Sequence, residues 1–67
     1  MKNRIAELRK ERRISQAELA DAVDVTRQTI ISLENWRYNA SLLLAHRIAG
    51  YFDLTIEQVF LFEEESE

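Results

Sequence analysis

Residues 15–33 read SQAELADAVDVTRQTIISL. Ser15 is followed three residues later by Glu18, the spacing of a capping box, in which each side chain bonds the other's backbone N–H and opens a helix. Leu19, Ala20 and Val23 then recur on one helical face. Asp24-Val25 breaks that period. Thr26 can cap a second helix, over about residues 27–35, whose apolar face carries Ile30 and Leu33.

Two short helices joined by a turn of three or four residues fit a helix-turn-helix. In that motif the second helix lies in the DNA major groove and its first turn reaches base edges. Ala20 is small where the two helices must approach, and Val25 can plug the gap between them. Thr26, Arg27, Gln28 and Thr29 open the second helix, and all four can hydrogen-bond. Spacing alone also accommodates an ordinary helical hairpin with a polar outer face.

The strings IAELRKERRISQAELADAVDVTRQTIISLENWRYNASL and LLLAHRIAGYFDLTIEQVF, together covering about residues 3 to 60, resemble a family. It comprises the Cro/repressor-type (xenobiotic-response-element) helix-turn-helix domains of phage and prokaryotic transcriptional regulators. Many of its members carry closely similar segments in the same order, such as LSQEELA, VSRQTIS, ENGKYNPSL and IEDIF. The resemblance implies an all-α, five-helix repressor-like DNA-binding domain with the helix-turn-helix at helices 2 and 3. It implies a sequence-specific transcriptional regulator, most often a repressor, whose homodimer occupies a two-fold operator on double-stranded DNA. Arg27, Gln28 and Ser32 match family positions that face the groove, and Gln16 matches a glutamine set against the DNA backbone. Arg9 is similar to an arginine that pairs with a glutamate at the end of the recognition helix, here Glu34. That pair would tie helix one to helix three and steer the guanidinium toward a phosphate.

The chemistry of these side chains agrees. Arg can fork onto guanine O6 and N7, and Gln onto adenine N6 and N7. Thr29 suits a thymine methyl or a phosphate. Thr26, Asn35 and Arg37 are further candidates for the DNA backbone. The chain departs from the family most in residues 35–41, NWRYNAS, where Trp36 replaces the usual glycine and Ala40 the usual proline. Asp24 and Asp53 also stand where relatives end helices with glycine. Left-handed backbone costs a non-glycine residue about 1–2 kcal/mol, least for Asn and Asp; Asn35 is the expected carrier of that conformation, and strain is the alternative.

Sixty-seven residues make one small domain, which buries only about 60% of its unfolded surface. The expected division is a DNA-binding domain at 1–62 and an acidic tail at 63–67. There is no cysteine, hence no disulfide framework or thiolate metal site. His46 is the only histidine and is expected to face solvent, so no metal and no cofactor are expected. No apolar run reaches membrane-spanning length and no secretory signal is visible, which points to the cytoplasm and away from a membrane. No second domain is visible to hold a small-molecule ligand, and no nucleophile–base pair marks an enzyme.

The net charge of −3 argues against nucleic acid until it is divided. Residues 1–37 hold eight Lys/Arg and six Asp/Glu, whereas residues 38–67 hold one Arg and six acids. A basic half carrying the proposed reader and an acidic half ending in EEESE suggest two sides, one facing DNA.

Helix one is expected at about residues 3–12, with Asn3 as its cap and Ile5 and Leu8 inward. Arg4, Arg9, Lys10, Arg12 and Arg13 would give it a basic surface. Ser41 can cap helix four, about residues 42–52, with Leu42, Ala45, Ile48, Ala49 and Phe52 inward; Leu44 also belongs to the family's core pattern. Thr55-Ile-Glu-Gln58 is another capping box and opens helix five, whose apolar face is Ile56, Val59 and Phe60. Leu43, Tyr51, Val59, Leu61 and Phe62 exceed what the inward stripes need and are the expected dimer interface. The alternative is that Leu61 and Phe62 cover the domain's own core. Phe60-Leu-Phe62 also suits a short C-terminal strand paired with residues 1–3. A rival from another class is an antitoxin-like interaction module that neutralises a protein partner and binds DNA secondarily.

Overall fold

The computed structural model describes residues 2–61. They form five helices in chain order: α1 (Ile5–Glu11), α2 (Gln16–Ala22), α3 (Arg27–Glu34), α4 (Leu42–Tyr51) and α5 (Ile56–Val59). Four of the five start on a hydroxyl cap. Ser15 and Glu18 complete the capping box of α2 at 3.0 and 2.8 Å, and Thr55 and Gln58 do the same for α5. Thr26 caps α3 through the Thr29 N–H, and Ser41 caps α4 through the Leu44 N–H. α1 begins later than its pattern suggests. Arg4 holds its cap position without a side-chain bond, and Asn3 Oδ1 accepts from the Ile5 N–H instead.

α1 to α4 all stop in the same way. The residue after each cap takes a left-handed conformation: Arg13, Asp24, Trp36 and Asp53, at φ 59, 63, 62 and 60°. The next residue then donates its N–H back to the carbonyl five residues earlier. The pairs are Ile14 to Arg9, Val25 to Ala20, Arg37 to Ser32 and Leu54 to Ala49. This is the Schellman arrangement, which satisfies carbonyls that a helix end leaves unpaired. The left-handed residue after α3 is therefore Trp36, not Asn35, which caps that helix with φ −89°. The register of the back-bond, and not the propensity of the side chain, decides which residue turns.

Gly50, the only glycine, lies inside α4 with no left-handed angle, and a Cβ there would meet nothing within 4 Å. Gly50→Ala is expected to raise stability by about 0.8–1 kcal/mol, the helix-interior difference between the two residues. It should appear as a higher urea midpoint at unchanged slope; an unchanged midpoint would contradict it.

The core is built from the inward stripes. Ile5 and Leu8 of α1, Leu19 and Ala20 of α2, Ile30 and Leu33 of α3, and Leu44, Ala45, Ile48 and Ala49 of α4 are all buried, joined by Val23, Phe52, Val59 and Phe60. Ile14, Val25 and Leu54, which follow the left-handed residues of α1, α2 and α4, pack against this core. An apolar contact at that place commonly accompanies the Schellman arrangement.

Two assignments change. Leu42 is 79% exposed, although its spacing to Ala45 suggests an inward position. At about 100° per residue, Leu44, Ile48 and Phe52 with Ala45 and Ala49 centre the buried stripe a quarter-turn away from it. Val59 is 0% exposed and belongs to the domain's own interior, so it cannot serve in a dimer interface. α5 is a single turn, and its last residue points where the chain closes the core. Leu43 and Tyr51 are exposed and Leu61 is half-buried. Phe62 and the acidic stretch 63–67 lie outside the described residues.

Of the expected C-terminal strand, the described residues show one antiparallel bridge, between Asn3 and Phe60; Met1 and Phe62 lie outside them. Arg4 N–H donates to Val59 O at 2.8 Å on one side, and Leu61 N–H to Lys2 O at 2.9 Å on the other. The Phe60 side chain is buried. Residues 2–4 and 59–61 are thus fastened to each other.

Candidate nucleic-acid interface

Helix periodicity sorts α3. With Ile30 and Leu33 buried, steps of about 100° place Gln28 and Asn35 directly opposite, flanked by Ile31 and Ser32. Arg27, Gln28 and Asn35 are exposed, and Thr29, Ile31 and Ser32 are half-buried. The face turned from the core therefore holds an arginine, two amides, a hydroxyl and one branched apolar residue. This mixture can discriminate the donors, acceptors and methyl groups of base edges.

α3 is held from behind by a polar clasp. Arg9 Nε donates to Glu34 Oε2 at 2.8 Å, and Arg9 Nη2 to Glu34 Oε1 at 3.2 Å, a two-pronged ion pair. Gln16 Nε2 adds a third bond to Glu34 Oε1 at 3.0 Å, and Arg9 Nη1 donates to Ile14 O at 3.1 Å. The two charged side chains are only 13% and 8% exposed. One carboxylate thus gathers α1, the first residue of α2 and the end of α3. Arg9 thus gives one N–H from each of its three nitrogens to the protein, in the expected pair with Glu34, which leaves one N–H on each terminal nitrogen for the phosphate contact expected of it. Asn3 supports the same helix end, donating from Nδ2 to Leu33 O at 2.9 Å.

The basic face expected of α1 is also partly consumed. Arg4 donates to Gln58 O and pairs with Glu7. Arg12 donates to Phe52 O at 2.8 Å and lies over the Phe52 ring. These guanidiniums close the fold, while Lys10 and Arg13 stay exposed.

The loop after α3 holds what spacing did not single out. Three of the four Schellman turns place an apolar residue after the left-handed one; the turn after α3 places Arg37 there, exposed. A polar residue at a position that elsewhere packs inward marks a site where packing has yielded to another use. Trp36 carries the Lys2 ammonium over its ring at 5.2 Å. Tyr38, half-exposed, lines an open depression together with Thr26, Gln28, Thr29 and Ser32. Its proximity in space to the first turn of α3 is set by the left-handed turn at Trp36, which sequence periodicity does not register.

Gln16 is half-buried on Glu34, and Thr26 is exposed at the cap of α3. Among the described residues no group of three or more His, Cys, Asp or Glu could hold a metal ion. No helix there is long and apolar enough to cross a membrane.

Comparison with known proteins gives a consistent result. The profile of a family described as helix-turn-helix matches residues 5–59. An uncharacterised HTH-type transcriptional regulator of Methanothermobacter thermautotrophicus is 52% identical over 66 residues, covering 97% of this chain and 96% of that protein. Another from Bacillus subtilis, YgzD, is 46% identical over 66 residues, covering 98% of this chain and all of that protein. The immunity repressor protein of Bacillus phage phi105 is 32% identical over 69 residues, with 96% of this chain matching 48% of that longer protein.

Proposed function

Because this chain belongs to the helix-turn-helix family of transcriptional regulators, which are not enzymes, we propose that it is a cytoplasmic repressor whose homodimer occupies a two-fold operator. In this reading α3 enters the major groove. Arg27, Gln28, Thr29 and Ser32 contact bases, and Arg9, Gln16, Thr26, Asn35 and Arg37 contact the sugar-phosphate backbone. Regulation follows from occupancy, since a bound dimer bars polymerase from the same DNA.

The observation that carries the reading is the outward face of α3: Gln28 and Asn35 opposite the buried Ile30 and Leu33, on a helix clamped through Glu34. A side chain that must choose among bases gains from a backbone that does not shift, because a contact misplaced by an ångström loses its geometry. The repressor role is supported by the phage immunity repressor among the relatives.

Two copies are proposed because one eight-residue helix touches few base pairs. A two-fold dimer sets recognition helices about 34 Å apart, one turn of DNA. The proposed contact residues are the exposed Leu43 and Tyr51 of α4 and the half-buried Leu61, and Phe62, outside the described residues, is proposed with them from the sequence. Leu43 is 58% exposed on the face opposite the buried stripe.

Selection of bound fragments from random-sequence duplex DNA tests the function. The expected product is an inverted repeat whose half-sites are centred about one helical turn apart. Recovery of unrelated sequences, or of single unpaired half-sites, would overturn the proposal.

A further inference from the structure

The turn after α3 places a tryptophan where the backbone favours glycine. Trp36 stands at φ 62°, a conformation that glycine adopts freely and a side chain makes costly. Burial in the core does not offset that cost, since Trp36 is 50% exposed. Strain kept at one residue is a reason to look for its use. The ring carries a charge: the Lys2 ammonium lies 5.2 Å from its centroid, within the range of a cation–π contact. The backbone brings Lys2 to that place. Its carbonyl accepts from the Leu61 N–H at 2.9 Å. The next residue, Asn3, donates from Nδ2 to Leu33 O, which also accepts the Trp36 N–H at 3.0 Å. Residues 2 and 3 thus lie against the end of α3, and Lys2 is set at the turn that presents the exposed Arg37.

We propose that Trp36 is a positioning residue whose ring seats Lys2 beside Arg37, so that both cations meet the sugar-phosphate backbone of the DNA. The proposal rests on α3 reading the major groove with Arg37 on that backbone. It adds a phosphate contact from the N-terminal segment, which sequence spacing does not connect with the reading helix. An aromatic face suits the task, because it attracts an ammonium without cancelling its charge, as a carboxylate in the same place would. The ammonium also has three N–H donors.

The test measures affinity for a scrambled duplex over a salt series, where binding reports phosphate neutralisation. Lys2→Gln is expected to weaken binding and to reduce the slope of log affinity against log salt by about one unit. Lys2→Arg should keep the wild-type slope. Trp36→Leu keeps a side chain at the left-handed position but removes the ring, and should reproduce the Lys2→Gln slope; Trp36→Phe should stay close to wild type. Combining Lys2→Gln with Trp36→Leu should cost no more than either alone, since both remove one contact. Thermal midpoints are measured beside binding. Should Trp36→Leu be unstable, Trp36→Gly, which suits the left-handed backbone, carries that arm. A wild-type slope for Lys2→Gln would overturn the phosphate contact, and a wild-type slope for Trp36→Leu would overturn the seat. A double variant that loses the sum of the two single effects would also overturn it, because the ring would then act on Arg37 and not on Lys2. The parent reading is separable: if Arg37→Ala lowers the slope and Lys2→Gln does not, only the seat of Lys2 fails, whereas an unchanged slope in both removes the backbone contacts of the parent reading as well.

Discussion

Glu34→Ala is expected to lower the unfolding free energy by about 3–5 kcal/mol, the usual consequence of removing one partner of a buried ion pair. The magnitude follows from what is stranded. Arg9 is 13% exposed and loses both prongs of its fork, and the Gln16 amide loses its acceptor in the same change. A core in a chain below 70–80 residues rarely supplies more than about 3–5 kcal/mol in all. The variant should therefore be largely unfolded at 25 °C by circular dichroism. The double variant Arg9→Met with Glu34→Leu removes both charges together and should recover most of the loss, since apolar replacement of a buried pair is often neutral. A loss below about 1 kcal/mol for Glu34→Ala would mean the pair behaves as a solvated surface contact.

Leu43→Asp is expected to leave the fold intact and weaken binding to a two-fold site by about 10²- to 10⁴-fold, the range that linking two binding modules contributes. The side chain is exposed and turned away from the core, so aspartate there removes no packing within the protomer. Across a two-fold interface the same substitution places two carboxylates against apolar surface. Sedimentation at micromolar concentration should find wild type dimeric and the variant monomeric, with half-site affinity unchanged. A wild type that is monomeric at every accessible concentration, or a variant that still dimerises, would contradict the proposed surface.

What the sequence disclosed depended on how local the signal was. Capping boxes at Ser15 and Thr55, and caps at Thr26 and Ser41, are patterns four residues long, and the helices begin where those patterns place them. The inward residues of α2 and α3 follow from periodicity alone. Leu42 misleads because its spacing to Ala45 suits an inward face, although it lies a quarter-turn from the centre of the buried stripe. Val59 is legible as apolar, but whether it fills its own core or a neighbour's depends on where residues 2–4 meet residues 59–61, at the Asn3–Phe60 bridge. Arg4 and Arg12 look like solvated charges in sequence; the acceptors that capture them, Gln58 O and Phe52 O, lie 54 and 40 residues away. Tyr38 joins the lining of the α3 depression through the left-handed turn at Trp36, the position that the glycine of similar family segments marks and that a propensity argument for Asn35 passes over.

In the proposed function the outward face of α3 reads bases while Arg37 in the following turn holds the backbone. Affinities of Gln28→Ala and Arg37→Ala for the selected site and for a scrambled duplex, measured over a salt series, test it most directly. Gln28→Ala should lose about 1–3 kcal/mol on the selected site, relax preference at one base position and keep the wild-type salt slope. Arg37→Ala should weaken both duplexes alike and reduce the slope by about one unit, as one fewer phosphate is neutralised. Indistinguishable behaviour of the two variants would contradict the claim.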